Sequence, residues 1–471
     1  MRFSKSLSLV SCSLLLIGVL APLAVAQKKD SDKNDAQQKK DKDKDKDKDK
    51  DKNKDKNPPV PAVIPPTPYS NVRRDNLLNG LQIITLERAG AEKVKCDLII
   101  RAGAMFDLAG KIGLAALTQE TLLAVNPQLK EEIESLQAKI DWGLNWDTTW
   151  FHIETPASNF DAVFEILARL LVVENVRPDA FKRAHQELLE KVKSIKPTPA
   201  EQADEAFFNA VYGDHPYGHH VDGGEGSVSG IKQADVYDFL KRFYIANNVS
   251  IIVVGNITHD RAMRPFKAFF GGWAKGQIVP STFRQPAQTV QLKLIKVEVP
   301  DAPNVELRGG MIGFRSADPD FLVAEALARI LNARLKREAE SIGGSFTAQS
   351  PRRILSGPFY FSATIPADQA SAFSRKATES FASLVTTAVS AEELAAAKSG
   401  LAEEHAARSV EDYLSEIEIF RSPKTYPLTV KDSIEKITAA DVQRIAKRLF
   451  DANAITVVAL GRVNENFKSN P

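Results

Sequence analysis

The histidines whose spacing could support chemistry lie in one short segment. His215 and His219 are four residues apart, and His220 follows directly. Two imidazoles at this spacing share one face of an α-helix and can hold a metal ion there. However, Pro216 and Gly218 stand between them, and a proline inside an α-helix removes a backbone hydrogen bond and clashes with the preceding turn. We therefore interpret the segment as a polar loop, with metal binding as the alternative.

Other common catalytic patterns are not found in the sequence. No Gly-x-Ser-x-Gly nucleophile elbow occurs, and Gly223–Gly226 lacks the Lys-Ser/Thr pair of a phosphate-binding loop. Two cysteines, Cys12 and Cys96, are too few for a zinc ribbon or a disulfide framework. Because Cys96 stands in an apolar, strand-like run, we interpret it as a small buried hydrophobic residue. We interpret His152 as a packed or exposed strand residue, and His185 as part of a solvated helix face.

Residues 1–26 have the layout of a secretory signal peptide. A basic start with Arg2 and Lys5 precedes the apolar run Leu14–Leu23, and Ala24-Val25-Ala26 fits the small-x-small cleavage rule. That run is too short for a transmembrane helix, and no later segment has the run of about 18 apolar residues that a membrane span requires. We therefore expect secretion across the inner membrane, a periplasmic location and no transmembrane span.

Residues 27–69 are predicted to form a disordered tether. Aspartate and lysine alternate between Asp41 and Lys56, and residues 58–68 are rich in proline. A segment with so few apolar residues cannot offset the entropy lost on ordering. The whole chain carries a formal net charge of only +2, so no nucleic-acid partner is expected.

The folded part contains an internal repeat. The chain of 471 residues is too long for one hydrophobic core, which stops growing at about 250–300 residues. Ile231–Gly255 aligns without a gap to Ile437–Gly461, with nine identical positions, and both copies read as a helix, a turn and a buried strand. This duplication predicts two homologous α+β lobes, at residues 70–273 and 289–465, joined by a linker at 274–288.

A series of landmarks resembles the pitrilysin/insulinase metallopeptidases, also called inverzincins. In chain order they are Asn79-Gly80-Leu81, Arg101-Ala102-Gly103, Gly110–Ala115, Gly213–Gly218 and Asn247–Gly255. The resemblance covers about residues 71–465. It implies an α+β fold of two homologous lobes, each an antiparallel sheet covered by helices. It also implies that two such units, or four in fused members, form a clam-like chamber around a peptide.

The resemblance also locates the catalytic motif of that family, H-x-x-E-H, on the helix after the Gly-Leu-Ala element. In the motif two histidines hold zinc, and the glutamate acts as general base on the bound water. Anchored on Gly113–Ala115, the matching positions here are Ala116, Gln119 and Glu120. Alanine has no ligand atom, glutamine cannot accept a proton, and one carboxylate does not hold a catalytic zinc. No H-x-x-E-H occurs elsewhere in the chain.

The remaining site residues of the family are also altered. The third zinc ligand is a glutamate on a later helix, and the best alignment places Lys191 there, although a shift of one residue would place Glu190. In the second lobe the family has an arginine and, seven residues later, a tyrosine that bind the substrate backbone. Arg337 matches the arginine, whereas seven residues onward stands Gly344 and the best chemical match to the tyrosine is Phe346. The alternative for Arg337 is a solvated helix charge.

By resemblance, the chain is expected to be a catalytically inactive homologue without a zinc cofactor. It would pair, as a heterodimer, with a zinc-bearing homologous subunit and complete a peptide-degrading chamber. One alternative is an envelope interaction module, or a peptide-binding module, without a peptidase partner. The other is an active metallopeptidase with rearranged ligands, in which Glu120, Glu187 or Glu190 and a histidine converge.

Overall fold

The computed structural model describes residues 69–277, 285–287, 293–450 and 455–463. The predicted signal peptide, the predicted tether apart from Tyr69, and much of the predicted linker lie outside these ranges. Within them, no helix is both long and apolar enough to cross a membrane.

The first lobe is built on a six-stranded sheet. Its strands are β1 (Arg73–Asn76), β2 (Gln82–Glu87), β3 (Val94–Ile100), β4 (Lys139–Leu144), β5 (Thr149–Thr155) and β6 (Val249–Gly255). Their spatial order is β1-β2-β6-β3-β5-β4. All neighbouring pairs are antiparallel except β2 and β6, which run parallel. Every residue of β6 is buried, as in a central strand that is covered on both faces.

The helices of the first half, with one exception described below, carry the apolar faces that this sheet requires. They are α1 (Leu114–Leu123), α2 (Leu129–Ser135), α3 (Phe160–Leu171), α4 (Pro178–Ser194), α5 (Pro199–Tyr212), α6 (Glu225–Ser229), α7 (Gln233–Phe243) and α8 (His259–Pro265). A π-helical turn, Phe266–Phe270, extends α8. Phe160 and Phe164 of α3 pack against Phe266 of this turn, with ring centroids 5.9 and 4.8 Å away. These rings close one side of the core.

The second lobe repeats the plan on a five-stranded sheet. Its strands are β7 (Lys293–Glu298), β8 (Asn304–Ile312), β9 (Ser345–Gln349), β10 (Pro358–Pro366) and β11 (Thr456–Gly461), in the spatial order β7-β11-β8-β10-β9. Only β7 and β11 run parallel. Its helices are α9 (Phe321–Ser341), α10 (Ala370–Thr386), α11 (Ala391–Ala407), α12 (Val410–Phe420), α13 (Tyr426–Glu435) and α14 (Ala439–Leu449).

The two copies of the sequence repeat occupy equivalent places in the two sheets. In each copy a helix, α7 or α14, leads to a strand that runs parallel to the first long strand of its lobe. The predicted α+β fold of two homologous lobes is therefore confirmed. The expectation of purely antiparallel sheets needs one correction, because each sheet holds one parallel pair. That pair forms because the last strand of each lobe inserts next to the first long strand, which is β2 in one lobe and β7 in the other.

One helix from each half covers the sheet of the other half. Helix α5 packs on β8 and β11, where Phe207 lies in one apolar cluster with Val458 and Leu460. Reciprocally, α12 packs on β3 and β6, and Leu414 lies in one apolar cluster with Ile252. Both sheets are thus buried on two faces, but only when both halves of the chain are present.

A buried arginine fixes the α5 side of this exchange. Arg308 on β8 is only 3% exposed. Its guanidinium donates to the Asp204 carboxylate at 2.5 Å and to the Ala200 carbonyl at 3.0 Å, both on α5. It also lies 3.3 Å from the Glu306 carboxylate. A buried charge is tolerated only with such partners, so the position of α5 on the second sheet is specified as well as stabilised.

Removing apolar contact at either exchanged helix should destabilise the whole folded part. We expect Phe207→Ala to cost about 3–5 kcal/mol and Leu414→Ala about 2–5 kcal/mol of unfolding free energy, because both leave buried cavities. Urea denaturation of the purified chain measures this. Leu428→Ala is the control, because Leu428 is 49% exposed and should change stability by less than about 0.5 kcal/mol. Changes of equal size in all three variants would contradict the exchange as a stabilising contact.

Candidate functional site

The helix that carries the altered motif, α1, is held at its first turn by a partly buried carboxylate. Asp107 accepts hydrogen bonds from the backbone N–H groups of Gly113 and Ala115, each at 2.7 Å. These donors have no partner inside the helix, so the carboxylate satisfies them. Burial raises the pKa of Asp107 to about 7. Gly113 has a φ of +98°, and a Cβ there would approach the Asp222 carbonyl oxygen to 2.5 Å, so glycine is required where α1 begins.

The first two motif positions are enclosed and already engaged. Ala116 and Gln119 are each 2% exposed on α1. The Ala116 side chain is a methyl group. The Gln119 amide Nε2 donates to the carbonyl of Gly143 on β4 at 3.1 Å. Glutamine therefore ties α1 to β4, which stabilises the lobe and leaves no base aimed at a water molecule.

The other two altered positions, Glu120 and Lys191, lie in a charged cluster between α1 and α4. The Lys191 ammonium lies 2.8 Å from the Asp222 carboxylate. Glu120 is partly buried, and burial is the main reason that its pKa is raised. Asp222 and Glu187 raise that pKa further, whereas Lys191 lowers it. The structure thus brings Glu120, Glu187 and Lys191 together. Glu190 is exposed, and its carboxylate accepts from Gln186 at 2.9 Å.

These residues do not fit a zinc ion. Zinc in proteins takes thiolate, imidazole or carboxylate ligands, three or four at a time. Here Ala116 offers no donor atom, Gln119 turns an N–H toward a carbonyl, and Lys191 supplies a positive charge. In the described part of the chain, no group of three or more His, Cys, Asp or Glu residues could hold a metal ion.

The three neighbouring histidines do not converge on a common point. A short 3₁₀ turn, Pro216–Gly218, separates His215 from His219. His215 Nδ1 accepts from the Tyr217 backbone N–H at 3.2 Å. His220 Nδ1 accepts from the backbone N–H of Asp222, also at 3.2 Å. The geometry is that of a loop with local hydrogen bonds, and it agrees with the interpretation as a polar loop.

The same loop has a structural role that the sequence reasoning missed. The Tyr217 hydroxyl donates to the carboxylate of Asp147, and both side chains are buried. From the second lobe, the backbone N–H of Leu355 donates to the Tyr217 oxygen at 3.2 Å, and that of Ile354 donates to Asp147 Oδ2 at 3.3 Å. The Arg353 guanidinium lies near the Tyr217 ring, 5.9 Å from its centroid. The landmark Gly-Asp-His-Pro-Tyr-Gly thus joins the lobes, and only its buried tyrosine could have signalled this.

The two residues that were expected to bind substrate differ in solvent exposure. Arg337 is exposed on α9, whereas Phe346 is only 1% exposed. Phe346 stacks on Phe361, with ring centroids 5.5 Å apart, inside the core of the second lobe. A ring enclosed in this way is not on a surface that a peptide reaches, which differs from the expected substrate-binding role. The nearby Arg334 forms a two-pronged ion pair with Glu393.

The structure also shows the surroundings of Cys96, His152 and His185. Cys96 is 1% exposed and burial raises its pKa well above the ordinary value, which confirms a buried hydrophobic role. His152 is half-exposed, and its Nδ1 lies 2.7 Å from an Asp97 carboxylate oxygen. His185 is partly buried and donates from Nε2 to the Val228 carbonyl at 2.9 Å. The interpretation of His185 as part of a solvated face is therefore wrong, because it fastens α4 to α6.

Comparison with known proteins shows what the chain is similar to. Residues 230–401 match the model of the peptidase M16 inactive domain. An uncharacterized zinc protease of Rickettsia felis is 21% identical over 212 residues, which are 44% of this chain and 52% of that protein. The chain thus aligns with about half the length of this relative.

Solved structures show the same two-lobed fold. The peptidase M16 inactive domain from Pseudomonas fluorescens has a TM-score of 0.76 and 21% identity, over 84% of this chain and 99% of that one. The periplasmic protease PqqL from Escherichia coli has a TM-score of 0.69 and 16% identity, over 83% of this chain and 48% of that one.

Fold and site together define a two-lobed, peptidase-like protein whose zinc-ligand positions hold other residues. The chain resembles the pitrilysin/insulinase, or M16, peptidases: it shares their two-lobed fold, matches the M16 inactive-domain model over residues 230–401, and lacks the H-x-x-E-H motif.

The raised pKa of Glu120 predicts a pH-dependent effect of its substitution. The pKa of Glu120 is higher in the folded state than in the unfolded chain, so the folded state holds the carboxyl proton more tightly. The protonated carboxyl therefore stabilises the fold fully at low pH, and this stabilisation is lost as the pH rises through the unfolded-state and then the folded-state pKa. Glu120→Gln removes that loss. The unfolding free energy of the variant relative to that of the wild type should therefore be greater at pH 8 than at pH 4. Urea denaturation at both pH values measures this difference.

Glu190→Gln on the exposed face of α4 is the matched control. Its stability difference from the wild type should be similar at both pH values. If Glu120→Gln behaved in the same way as this control, burial would not be acting on the Glu120 carboxylate.

Proposed function

We propose that this chain is a catalytically inactive M16 homologue that acts as the non-catalytic subunit of a heterodimer. Its partner would be a zinc-bearing homologue, and together the two would enclose peptides in a degrading chamber. The observation that carries the proposal is that the motif helix is intact while its ligand positions are committed elsewhere. Gln119 is bonded to Gly143, and Lys191 is paired with Asp222.

The chemistry of these substitutions supports the loss of catalysis. Without a bound metal, water keeps a pKa of about 15.7, compared with about 7 on zinc, so little hydroxide forms at neutral pH. Gln119 cannot act as a general base. The wall of a chamber, by contrast, needs only the fold and an interface, and both lobes of this chain retain their cores.

The lengths of the relatives support a homologous partner. The chain matches 48% of the length of PqqL, so a single PqqL chain has room for a second unit of this size. We propose that here the second unit is a separate chain. We also propose export by residues 1–26 and a periplasmic location, which is the location given in the name of PqqL. The lobes would span 70–273 and 289–465, with residues 27–69 as a tether.

Purification of the native complex tests this function. The chain is tagged at its C-terminus with a non-histidine tag and isolated from its own cells under mild conditions. We expect a homologue with an intact H-x-x-E-H motif to elute with it in equal amounts. Peptide cleavage by the complex should be lost on chelation of zinc, and the chain alone should show no cleavage above the buffer control.

The other outcomes distinguish the alternative functions. Elution without any peptidase, at the same salt concentration, would contradict the subunit function and favour an interaction or peptide-binding module. Chelator-sensitive cleavage by the chain alone would contradict the inactive assignment and mean that other ligands assemble. Arg337→Gln leaves the fold intact, because Arg337 is exposed. It therefore tests whether this arginine contributes to peptide binding by the complex.

A further inference from the structure

A cavity of about 280 Å³ lies where the two lobes meet. Arg101 and Arg242 line it from the first half of the chain, and Arg315 and Arg421 line it from the second. Its apolar lining includes Phe106 and Phe243, whose ring centroids are 4.7 Å apart. Among the described residues that line this cavity there is no aspartate or glutamate. Four arginines therefore line one small, partly apolar space, of which Arg101 is partly buried and the other three are exposed.

The arginines of the cavity have few protein partners. Arg101 donates from Nη1 to the Ser250 hydroxyl at 2.7 Å. In the part of the chain that the structure describes, Arg242, Arg315 and Arg421 form no ion pair. The Glu418 carboxylate attracts the Arg101 guanidinium electrostatically, but it is shared with Arg74, whose guanidinium lies 3.8 Å away. The charges of Arg242, Arg315 and Arg421 are therefore met by solvent and not by a carboxylate of the described chain.

The placement of Arg421 is costly in two ways. Its φ is +55°, in the left-handed region that disfavours residues other than glycine, asparagine and aspartate. It also lies close enough to Arg101 to lower the pKa of that partly buried guanidinium, in addition to the larger effect of burial. Strained backbone that brings like charges together is characteristic of a site that a ligand completes.

The sequence repeat supplies an internal comparison. Arg242 and Arg448 are equivalent positions on α7 and α14. Arg448 lies 3.8 Å from the Asp320 carboxylate, which also binds Arg444 at 2.8 Å. Asp320 directly precedes α9, whereas the residue that directly precedes α1 in the first lobe is Gly113, which has no carboxylate. The same arginine thus has an acidic partner in one lobe and faces the cavity in the other.

We propose that the cavity between the lobes binds a small organic anion. Its oxyanion, a carboxylate or a phosphate, would pair with the guanidinium groups of Arg101, Arg242, Arg315 and Arg421. Its apolar body would pack on Phe106 and Phe243. Arginine suits both oxyanions because its planar fork donates two parallel hydrogen bonds. This inference goes beyond the proposed function and does not depend on a peptidase partner.

Calorimetric titration of the full purified chain tests the site with four small probes. N-acetylphenylalanine carries a carboxylate on an apolar body, and phenyl phosphate carries a phosphate on one. N-acetylphenylalanine amide keeps the apolar body without the charge, and inorganic phosphate keeps the charge without the body. We expect one or both of the first two probes to bind at least tenfold more tightly than the last two. Which of the first two binds better identifies the oxyanion.

Three variants locate the binding. Arg421→Gly and Arg242→Gln should each weaken binding of the better probe at least tenfold, whereas Arg448→Gln should change it less than twofold. Glycine accepts a positive φ without strain, so Arg421→Gly should remain folded, which thermal unfolding checks. Equal binding of the neutral amide, equal binding of inorganic phosphate, or an equal loss in Arg448→Gln would each overturn the proposal.

Discussion

The structure depends on the reciprocal exchange of two helices between its halves. Each sheet has one face covered by helices of its own half and the other by a helix of the opposite half, α5 or α12. The buried Arg308 ties α5 to the second sheet, and the Tyr217–Asp147 pair joins the lobes at the motif side. Because neither sheet is covered without the other half, the relative position of the lobes is fixed by core packing. The inter-lobe arginine cavity can exist only in a chain held together in this way.

The same arrangement explains how a peptidase fold can persist without its metal. A catalytic zinc binds to a scaffold that is already folded, whereas the binding of a structural zinc contributes to the free energy of folding. Here α1 is positioned by protein groups: Asp107 caps its first turn, and Gln119 bonds it to β4. Lys191 places one positive charge beside the carboxylates of Glu120 and Asp222. These substitutions satisfy the polar groups of the pocket, so the lobe folds around a site with no suitable ligands.

Much of the fold could be predicted from the sequence, but few of the tertiary contacts could. The repeat of α7 and β6 in α14 and β11 predicted two homologous lobes, since both copies are local patterns. The family landmarks matched Glu120 and Lys191 to positions of one site, and the structure brings the two side chains close enough to interact electrostatically. The exchange of α5 was not predictable, because an amphipathic pattern shows an apolar face without showing what covers it. Phe346 was matched by spacing and residue type alone, which do not show that its ring is enclosed in the core of the second lobe. Strand β1 gives little sequence signal because Arg73–Asn76 is short, charged and mostly exposed.

The most direct test of the central claim, that residue substitution has removed the zinc site from an intact fold, is the zinc content of the purified chain. The chain is prepared without a histidine tag, incubated with zinc, desalted and analysed by elemental mass spectrometry. Beside it stands a variant with Ala116→His, Gln119→Glu, Glu120→His and Lys191→Glu, which restores the motif. The account predicts far less than one zinc per wild-type chain and more zinc in the restored variant. One zinc per wild-type chain, lost when Glu120 is replaced by alanine, would contradict it.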